Sequence, residues 1–328
     1  MTILYVVTPG ASIRKRGERI RVLSPDDELL ADVEARHLEH VCMLSSVQVT
    51  TQALAEMLEH GVELAILSSR GQLLGQLTPP LAKNIALRRA QFDKERDPAF
   101  ALAQAREVVA AKVSNQREVL ARHGLDEPGE QAETRQAAGT IEQMLRQIPD
   151  VTDMAVLRGI EGACARAYWG AFGAMLKADG VSFPGRRKHP APDPVNGALS
   201  FGYVLLGNML HALLDGLGFD PFLGFFHEES YGRASLALDL LEPFRAPVVD
   251  RFVVRAFNLR ILRPDQFQDN GEGGLHLAPE ALERFFREWE QTLHKLEVRL
   301  RIREQAEDLR AVFLGEKDLV SPWRWSAR

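Results

Sequence analysis

The stretch QLLGQLTPPLAKNIALRRAQF, residues 72–92, contains the point at which the hydrophobic pattern of the chain changes. Up to Thr78, short apolar runs alternate with polar residues, as in strands that bury one face. Beyond the two prolines, apolar residues recur every three or four positions, as on one face of a helix. The pattern predicts an α+β fold, with a small β-rich domain at residues 1–78 and a large all-helical domain at residues 79–328.

The predicted β-rich domain contains a hairpin and a helix. Residues 12–24, SIRKRGERIRVLS, alternate on both sides of Gly17, which predicts two strands joined by a turn at that glycine. Residues 51–61, TQALAEMLEHG, have helical spacing and are expected to end at Gly61. Further strand candidates are the runs ILYVVT, HVCML, SSVQVT, VELAILSS and QLLGQL.

The predicted helical domain is made of long amphipathic or apolar segments. The segment at 183–197 interrupts them with four prolines and predicts an irregular loop. The apolar helix after this loop contains Asn208, His211 and Asp215, which favours a core helix over a membrane span. Helices are expected at about residues 81–97, 98–124, 153–180, 197–217, 234–245, 246–258 and 279–310, with a short hairpin at 269–277.

The composition is that of an ordinary globular protein and gives no global reason to bind nucleic acid. Apolar residues make up 45% of the 328 residues, charged residues make up 26%, and the formal net charge is −5. Cys42 and Cys164 lie far apart without a CxxC motif, which argues against a disulfide framework and a thiolate zinc site. The N-terminal residues lack the pattern of a secretory signal, so a reducing, cytoplasmic location is expected.

Glu161 lies on a helix face that is otherwise mostly apolar. In LRGIEGACARAYWGAF, residues 157–172, its neighbours one turn away are leucine, cysteine and alanine. An ionised carboxylate is rarely turned inward unless it is paired or binds a metal. Gly159 and Gly162 flank it and each weakens a helix by roughly 1 kcal/mol relative to alanine. We therefore expect either close helix packing or room for a substrate at this face.

A second group of proton-binding and metal-binding residue types lies in HEESYGRASLALDLLEPFR, residues 227–245. Asp239 and Glu242 are three positions apart and project from one face of an otherwise apolar helix. His227 follows an apolar loop that is expected to carry it inward. Two interpretations remain open, namely helix-end acids beside an arginine, or a mixed nitrogen and oxygen metal site. Such a site suits Mg²⁺ or Mn²⁺ better than Zn²⁺ and supports phosphodiester chemistry.

Three segments taken together resemble the family of CRISPR-associated spacer integrases called CRISPR-associated protein one. They are LRGIEGACARAYW at 157–169, DPVNGALSFGYVLL at 193–206 and LGFDPFLGFFHEESYGRASLALDLLEPFRAPVVD at 217–250. The resemblance covers nearly the whole chain, including the order of a small β domain, a connector and a large helical domain. It implies that the helical domain is the catalytic one and that the β domain pairs two copies of the chain.

The resemblance also implies which residues act. In the family, a divalent metal is bound by a glutamate on a long helix, a histidine and an acid on a later helix. By motif position these residues are Glu161, His227 and Glu242, with Asp239 as a further acid near the metal. The family commonly has aspartate at the position of Glu242. Basic residues close to the motifs are our candidates for holding DNA strands, and these are Arg186, Arg187, Lys188 and Arg245.

The activity implied by the resemblance is metal-dependent insertion of short foreign DNA fragments into a CRISPR array, as part of antiviral defence. The fragment's 3′-hydroxyl attacks a repeat phosphodiester with the help of Mg²⁺ or Mn²⁺. The implied partners are double-stranded DNA, both spacer precursor and repeat, a second copy of the chain, CRISPR-associated protein two and a Cas4-type exonuclease, without a membrane. Two alternatives are a nuclease that only hydrolyses DNA and a catalytically silent DNA-binding scaffold.

Overall fold

The chain folds into two compact units, Met1–Lys83 and Asn84–Arg328. A computed structural model describes residues 2–44, 46–68, 73–78, 84–123, 132–187, 190–228, 230–269 and 273–326. The first unit is rich in strands and the second is mostly helical, so the α+β fold class predicted from the sequence is confirmed. Pro79 and Pro80, where the sequence predicts the change of domain, lie outside the described residues.

The first unit holds two four-stranded sheets, in the strand orders β1-β5-β7-β8 and β4-β3-β2-β6. The predicted hairpin is present, with β2 antiparallel to β3 and Gly17 at a φ of +63° in the turn. Helix α1 begins after Thr50, whose hydroxyl accepts a hydrogen bond from the Ala53 amide, and Gly61 follows its end at a φ of +75°. The elements are β1 Thr2–Val6, β2 Ser12–Arg16, β3 Arg19–Leu23, β4 Leu29–Glu34, β5 Leu38–Met43, β6 Gln48–Val49, α1 Thr51–Glu59, β7 Glu63–Leu67 and β8 Leu73–Leu77.

The second unit packs its helices around an apolar core and adds a short antiparallel hairpin, β9 with β10. A hairpin was predicted from the sequence at residues 269–277, and residues 270–272 lie outside the described residues. The elements are α2 Ile85–Glu95, α3 Pro98–His123, α4 Ala132–Leu145, α5 Met154–Phe172, α6 Pro194–Leu217, α7 Ser235–Phe244, α8 Arg251–Asn258, β9 Phe267–Asp269, β10 Leu275–Leu277, α9 Pro279–Lys295 and α10 Val298–Leu314.

Several helix boundaries differ from the prediction. The predicted helix at 153–180 ends as α5 at Phe172 and continues only as a 3₁₀ turn. The predicted single helix at 279–310 was wrong, because the chain breaks between α9 and α10 where Glu297 takes a φ of +51°. Helix α4 was not predicted, since its polar and small residues give a weak pattern.

A π-helical segment, Arg245–Asp250, joins α7 to α8. Pro243 lies just before this segment and Pro247 lies within it. Neither has an amide hydrogen to donate, so the regular α-helical hydrogen bonds cannot continue through the segment. Segments of this kind are frequent at functional sites. The segment begins three residues after Glu242, one of the predicted site residues.

Helix α6 is long and apolar enough to span a membrane by composition, but 56% of its most apolar window is buried inside the protein. It lies in the core, as the sequence predicts, with its N-terminus capped by the Asp193 carboxylate. The Gly202 position of α6 approaches the π-helical segment closely, since an added Cβ would come within 2.7 Å of Val249 Cγ1. The close packing places α6 beside the segment that follows α7.

Candidate functional site

Three helices of the second unit bring two carboxylates to one ammonium group. Lys112 on α3 donates to Glu161 Oε1 on α5 at 2.5 Å, and its Nζ lies 2.6 Å from Glu242 Oε2 on α7. The side chains of Lys112 and Glu242 are largely buried, at 12% and 4% exposure, while Glu161 is 21% exposed. Glu161 and Glu242 are thereby brought together as the sequence predicts, with a lysine between them that was not among the predicted site residues.

Asn115 fixes α3 against α7 next to this group. Its side-chain amide donates to the Pro243 carbonyl at 2.7 Å and to the Trp323 carbonyl at 3.0 Å. Its side-chain oxygen accepts from the Trp325 amide at 2.8 Å. Asn115 is fully buried and lies one turn after Lys112. The bond to Pro243, the residue that follows Glu242 on α7, holds Lys112 in register with Glu242.

The charges around Glu242 favour its ionised form. Burial alone would raise the pKa of this carboxyl, but Arg245 and Lys112 outweigh it and lower the pKa to about 2. Burial likewise opposes the charge on Lys112, and the two carboxylates reverse this and raise the pKa of its ammonium above the usual value. The site is therefore a buried set of paired charges at neutral pH.

His227 lies in the loop before α7 and is held there by Asp239, which lies on α7. Asp239 is fully buried, and its carboxylate accepts backbone hydrogen bonds from Phe225 at 2.7 Å, Phe226 at 3.0 Å and His227 at 3.0 Å. The His227 ring nitrogen Nδ1 lies 2.6 Å from Asp239 Oδ1. Because the carboxylate accepts, a neutral ring carries its proton on Nδ1. The Nε2 lone pair is then left on the side of Glu242, whose Oε1 lies 3.7 Å away.

Gly224 provides the space that this loop needs. A Cβ at this position would lie 2.6 Å from Asp239 Oδ2 and 2.9 Å from the backbone carbon of Ser235. Gly224→Ala is therefore expected to displace the loop and to lower the free energy of unfolding by about 1–3 kcal/mol, as other overpacked sites do. Chemical denaturation measures the change. Gly207→Ala on α6 is the control, since its Cβ would meet Leu241 Cδ2 at an ordinary 3.8 Å; equal stability of both variants would contradict the expectation.

Arg245 connects Glu242 to a second buried cluster. Its Nε lies 3.3 Å from Glu242 Oε1, and its guanidinium carbon lies 4.9 Å from the centre of the Tyr203 ring. The Tyr203 hydroxyl donates to Asp250 Oδ1, and the Tyr168 hydroxyl donates to Asp250 Oδ2 at 2.8 Å. This cluster lies at the end of the π-helical segment, and its Tyr203 ring packs against the Arg245 guanidinium.

The Asp250 carboxyl in this cluster gives stability a specific pH dependence. Burial raises its pKa from 3.8 to about 6, although the hydroxyls of Tyr203 and Tyr168 and the nearby Arg186 and Arg245 act in the opposite direction. The folded protein thus holds this proton more tightly than the unfolded chain does. The resulting stabilisation is complete below about pH 4 and is lost as the pH rises through about 6.

Asp250→Asn is expected to remove this loss while keeping a group that both tyrosine hydroxyls can contact. Between pH 4 and pH 7.5 the parent should lose about 3 kcal/mol more stability than the variant, which corresponds to a shift of about two pKa units. Denaturant unfolding of both proteins at the two pH values measures this difference. Parallel pH profiles for the two proteins would show that the Asp250 carboxyl does not titrate in this range.

The candidate DNA-binding residues lie in different surroundings. Arg186 donates to Asn196 Oδ1 at 2.9 Å and to Ser200 Oγ at 3.2 Å, so it ties the proline-rich loop to α6. Arg187 is exposed, and Arg245 is 19% exposed beside Glu242. Lys188 lies outside the described residues. A role in holding DNA remains a prediction for all four.

The predicted metal residues meet in pairs rather than as one cluster. Within the described ranges, no three histidine, cysteine, aspartate or glutamate side chains form a group that could hold a metal ion as they stand. The Asp239 carboxylate contacts the His227 ring and three backbone amides. Gly159 and Gly162 are not required by packing, since an added Cβ would meet no atom within 4 Å or only Arg166 Nη1 at 3.7 Å.

The donor set nevertheless fits a divalent cation. An ammonium already occupies the position between Glu161 and Glu242, so a cation is accommodated there. Two carboxylates and an imidazole nitrogen are ligands that Mg²⁺ and Mn²⁺ accept. A histidine whose other nitrogen is held by a carboxylate is the usual arrangement for a metal-binding imidazole. Asp239 supplies that carboxylate to His227.

The sequence matches a known family and several curated relatives. Residues 4–291 match the model of the family described as CRISPR associated protein Cas1. The chain is 32% identical to a CRISPR-associated endonuclease Cas1 of Rhodospirillum rubrum over 99% of this chain and 98% of that protein. It is 31% identical to a Cas4 exonuclease/Cas1 endonuclease fusion of Geobacter sulfurreducens, covering 89% of this chain and 53% of the fusion.

Solved structures share the fold of this chain. A casposase bound to its integration product superimposes with a TM-score of 0.82 at 22% identity, covering 99% of this chain and 95% of that chain. A chain of a Cas6-RT-Cas1–Cas2 complex also gives a TM-score of 0.82, at 24% identity, covering 99% of this chain and 36% of that chain. The family-model match over residues 4–291 and the 32% identical relative show that the chain belongs to the CRISPR-associated Cas1 family.

Proposed function

We propose that the protein is a metal-dependent DNA endonuclease and integrase that inserts short DNA fragments into a CRISPR array. The observation that carries the proposal is the convergence of Glu161 and Glu242 on one cation, beside the Nε2 atom of His227. A scaffold that only binds DNA has no need for two glutamates gathered at one buried point, because desolvating carboxylates is costly. The names of the curated relatives and of the casposase structure point to the same chemistry.

Glu161, Glu242 and His227 would hold a Mg²⁺ or Mn²⁺ ion. When bound, the ion supplies charge stabilisation at the scissile phosphate and lowers the pKa of the attacking hydroxyl. Glu242 is ready for this role at neutral pH, because its pKa is about 2 and the side chain is ionised. Asp239 keeps the His227 ring in the orientation that leaves Nε2 available.

The basic residues of the site would bind and position the phosphates of the DNA backbone. Arg245 lies against Glu242 and is braced by Tyr203, so its guanidinium is fixed close to where a phosphate would lie. The exposed Arg187 extends the positive charge along the proline-rich loop. These groups bind and orient the DNA backbone, and they do not need to transfer a proton.

The proposed joining reaction is a transesterification. The 3′-hydroxyl of the fragment attacks the phosphorus of a repeat phosphodiester, and the bond from that phosphorus to the repeat's own 3′-oxygen breaks. The hydroxyl proton leaves from the attacking oxygen, and a proton returns to the departing one. One phosphodiester is formed for each one broken, so no nucleotide cofactor is required. With water in place of the fragment's hydroxyl, the same site would hydrolyse DNA.

The proposed assembly includes a second copy of the chain, Cas2 and a Cas4-type exonuclease. Strand β8 is at the edge of its sheet and carries Leu74 at 68% and Leu77 at 37% exposure, with Ile66 of neighbouring β7 at 40%. An apolar sheet edge of this kind is suited to pairing with another subunit. Structures and relatives that contain Cas2 or Cas4 together with a Cas1 chain support the other two partners.

The test is an assay with supercoiled plasmid carrying a repeat and a short duplex with free 3′-hydroxyls. With Mg²⁺ or Mn²⁺, and with Cas2 present, we expect fragment covalently joined to plasmid. Nicking or linearisation without joined fragment would favour a hydrolytic nuclease, and plasmid binding without any cleavage would favour a scaffold. Fragment with 3′-deoxy ends is the control, because it cannot attack. Light scattering of the protein alone should give about twice the 36.6 kDa chain mass.

A further inference from the structure

Lys112 stands between the two carboxylates that the proposed function assigns to a metal ion. Its Nζ is 2.5 Å from Glu161 Oε1 and 2.6 Å from Glu242 Oε2, and the side chain is 12% exposed. A buried ammonium is stable only where anions surround it, and buried carboxylates repel one another unless a cation separates them. The lysine and the two glutamates therefore depend on each other in the protein without metal.

The ammonium and a divalent ion compete for the same oxygens. A metal ion bound by both Glu161 and Glu242 would lie between their carboxylates, where the Nζ atom of Lys112 now lies. Two cations side by side in a largely buried site repel strongly, because the local dielectric is low. Binding the ion with these ligands thus requires the ammonium to leave its position.

We propose that Lys112 is a built-in counter-cation that holds Glu161 and Glu242 in place without metal and is displaced when the metal binds. The inference rests on the proposed function, which assigns both glutamates to the ion. It follows that Lys112 sets the metal affinity of the site and allows the protein to fold before metal arrives.

The fold permits this exchange without a large movement. Asn115 anchors α3 to the Pro243 carbonyl and to the C-terminal segment, so the helix itself stays fixed. The lysine side chain has four rotatable carbon–carbon bonds, and its ammonium is a compact point charge. Rotation about those bonds is sufficient to withdraw Nζ from the two carboxylates while the backbone of α3 remains in place.

Lys112→Met tests the inference, because methionine has a similar length and no charge. In chelator, the variant should unfold at a lower temperature than the parent, since Glu161 and Glu242 lose their shared cation. Adding Mn²⁺ should raise the unfolding temperature of the variant more than that of the parent. Calorimetric titration at neutral pH should show Mn²⁺ bound at least tenfold more tightly by the variant.

Lys317→Met is the matched control. Lys317 pairs with a single carboxylate, Asp308, at 2.5 Å, on a 38% exposed side chain in the same unit. Its replacement should leave the Mn²⁺ affinity unchanged. Equal or weaker Mn²⁺ affinity of Lys112→Met relative to the parent would overturn the inference about Lys112 while leaving the proposed function intact. Absence of Mn²⁺ binding to both proteins would overturn the metal role of the glutamates and this inference with it.

The parent protein supplies an independent measurement if Lys112→Met does not fold. Amine-specific chemical labelling, read by mass spectrometry, reports the accessibility of each lysine. Labelling of Lys112 should be low in chelator and should rise at saturating Mn²⁺, whereas labelling of Lys317 should stay constant. Unchanged labelling of Lys112 with bound Mn²⁺ would show that the ammonium keeps its position, which contradicts the displacement.

Discussion

Replacing Glu161 with glutamine is expected to abolish metal-dependent cutting and joining of DNA while the protein remains folded. The glutamine keeps the size of the side chain and removes the negative charge that a divalent ion requires. Loss of such a ligand should lower the rate by about a thousandfold or more, since charge stabilisation of this kind contributes several kcal/mol. The loss should be visible with Mg²⁺ and with Mn²⁺ alike.

Stability and DNA affinity should change far less than activity. Lys112 keeps its contact with Glu242 when Glu161 is replaced, and Glu161 is partly exposed, so we expect the unfolding free energy to fall by less than about 2 kcal/mol. DNA binding is dominated by phosphate contacts of basic residues, which this variant retains. Filter binding and denaturant unfolding of the variant, beside its joining rate, separate the three effects.

Glu142→Gln is the control for this variant. Glu142 on α4 also forms ion pairs with two cations, Arg117 and Arg146, each at 3.2 Å, but its side chain is 35% exposed. Its replacement should leave the joining rate at the parental level. A Glu161→Gln protein that folds normally and joins DNA at the parental rate would remove Glu161 from the site.

The fold class could be predicted from the spacing of apolar residues along the chain, because this spacing shows which face of each strand or helix is buried. The change after Thr78 separates a strand-rich unit from a helical one, and the alternation around Gly17 places a hairpin. The break between α9 and α10 at Glu297 could not be predicted in this way. The segment around it contains neither glycine nor proline, so nothing in the sequence stops the helix, and a glutamate adopts a positive φ that usually belongs to glycine.

The candidate site was half visible in the sequence. Glu161, Asp239 and Glu242 stand out because acids on apolar helix faces are unusual. Lys112 left the same kind of signal, since it falls on the buried stripe of α3 between Val108 and Asn115, spaced by four and by three. A lysine at such a position can also extend its long side chain to solvent. Its pairing with the two glutamates is therefore evident only once the structure places α5 and α7 against α3.

The position of Asp239 behind His227 depends on loop geometry that no residue spacing reveals. The sequence places Asp239 and Glu242 on one helical face, and both could then be expected to bind the same ion. In the structure the loop before α7 folds back over the helix, and three successive backbone amides converge on Asp239. Gly224 makes this close approach possible. Two acids three residues apart thus have different partners, since Glu242 pairs with Lys112 and Arg245.

Asp239→Asn is expected to lose both stability and metal affinity, which distinguishes it from Glu161→Gln. Four donors meet the Asp239 carboxylate, three of them backbone amides, and an asparagine offers one acceptor oxygen and an amide that repels donors. Buried donors left without acceptors, and lost bonds to a charged group, should lower the free energy of unfolding by about 3 kcal/mol or more.

The same substitution releases the His227 ring, because Nδ1 loses the carboxylate that orients it. Mutation of such a supporting carboxylate typically weakens metal binding by about 10–100-fold. Thermal unfolding in chelator and calorimetric titration with Mn²⁺ measure the two effects separately. Asp215→Asn is the matched control, since Asp215 lies 3.4 Å from His211 Nε2 on α6, outside the site. If Asp239→Asn loses activity but keeps parental stability and Mn²⁺ affinity, Asp239 acts on the substrate itself rather than through His227.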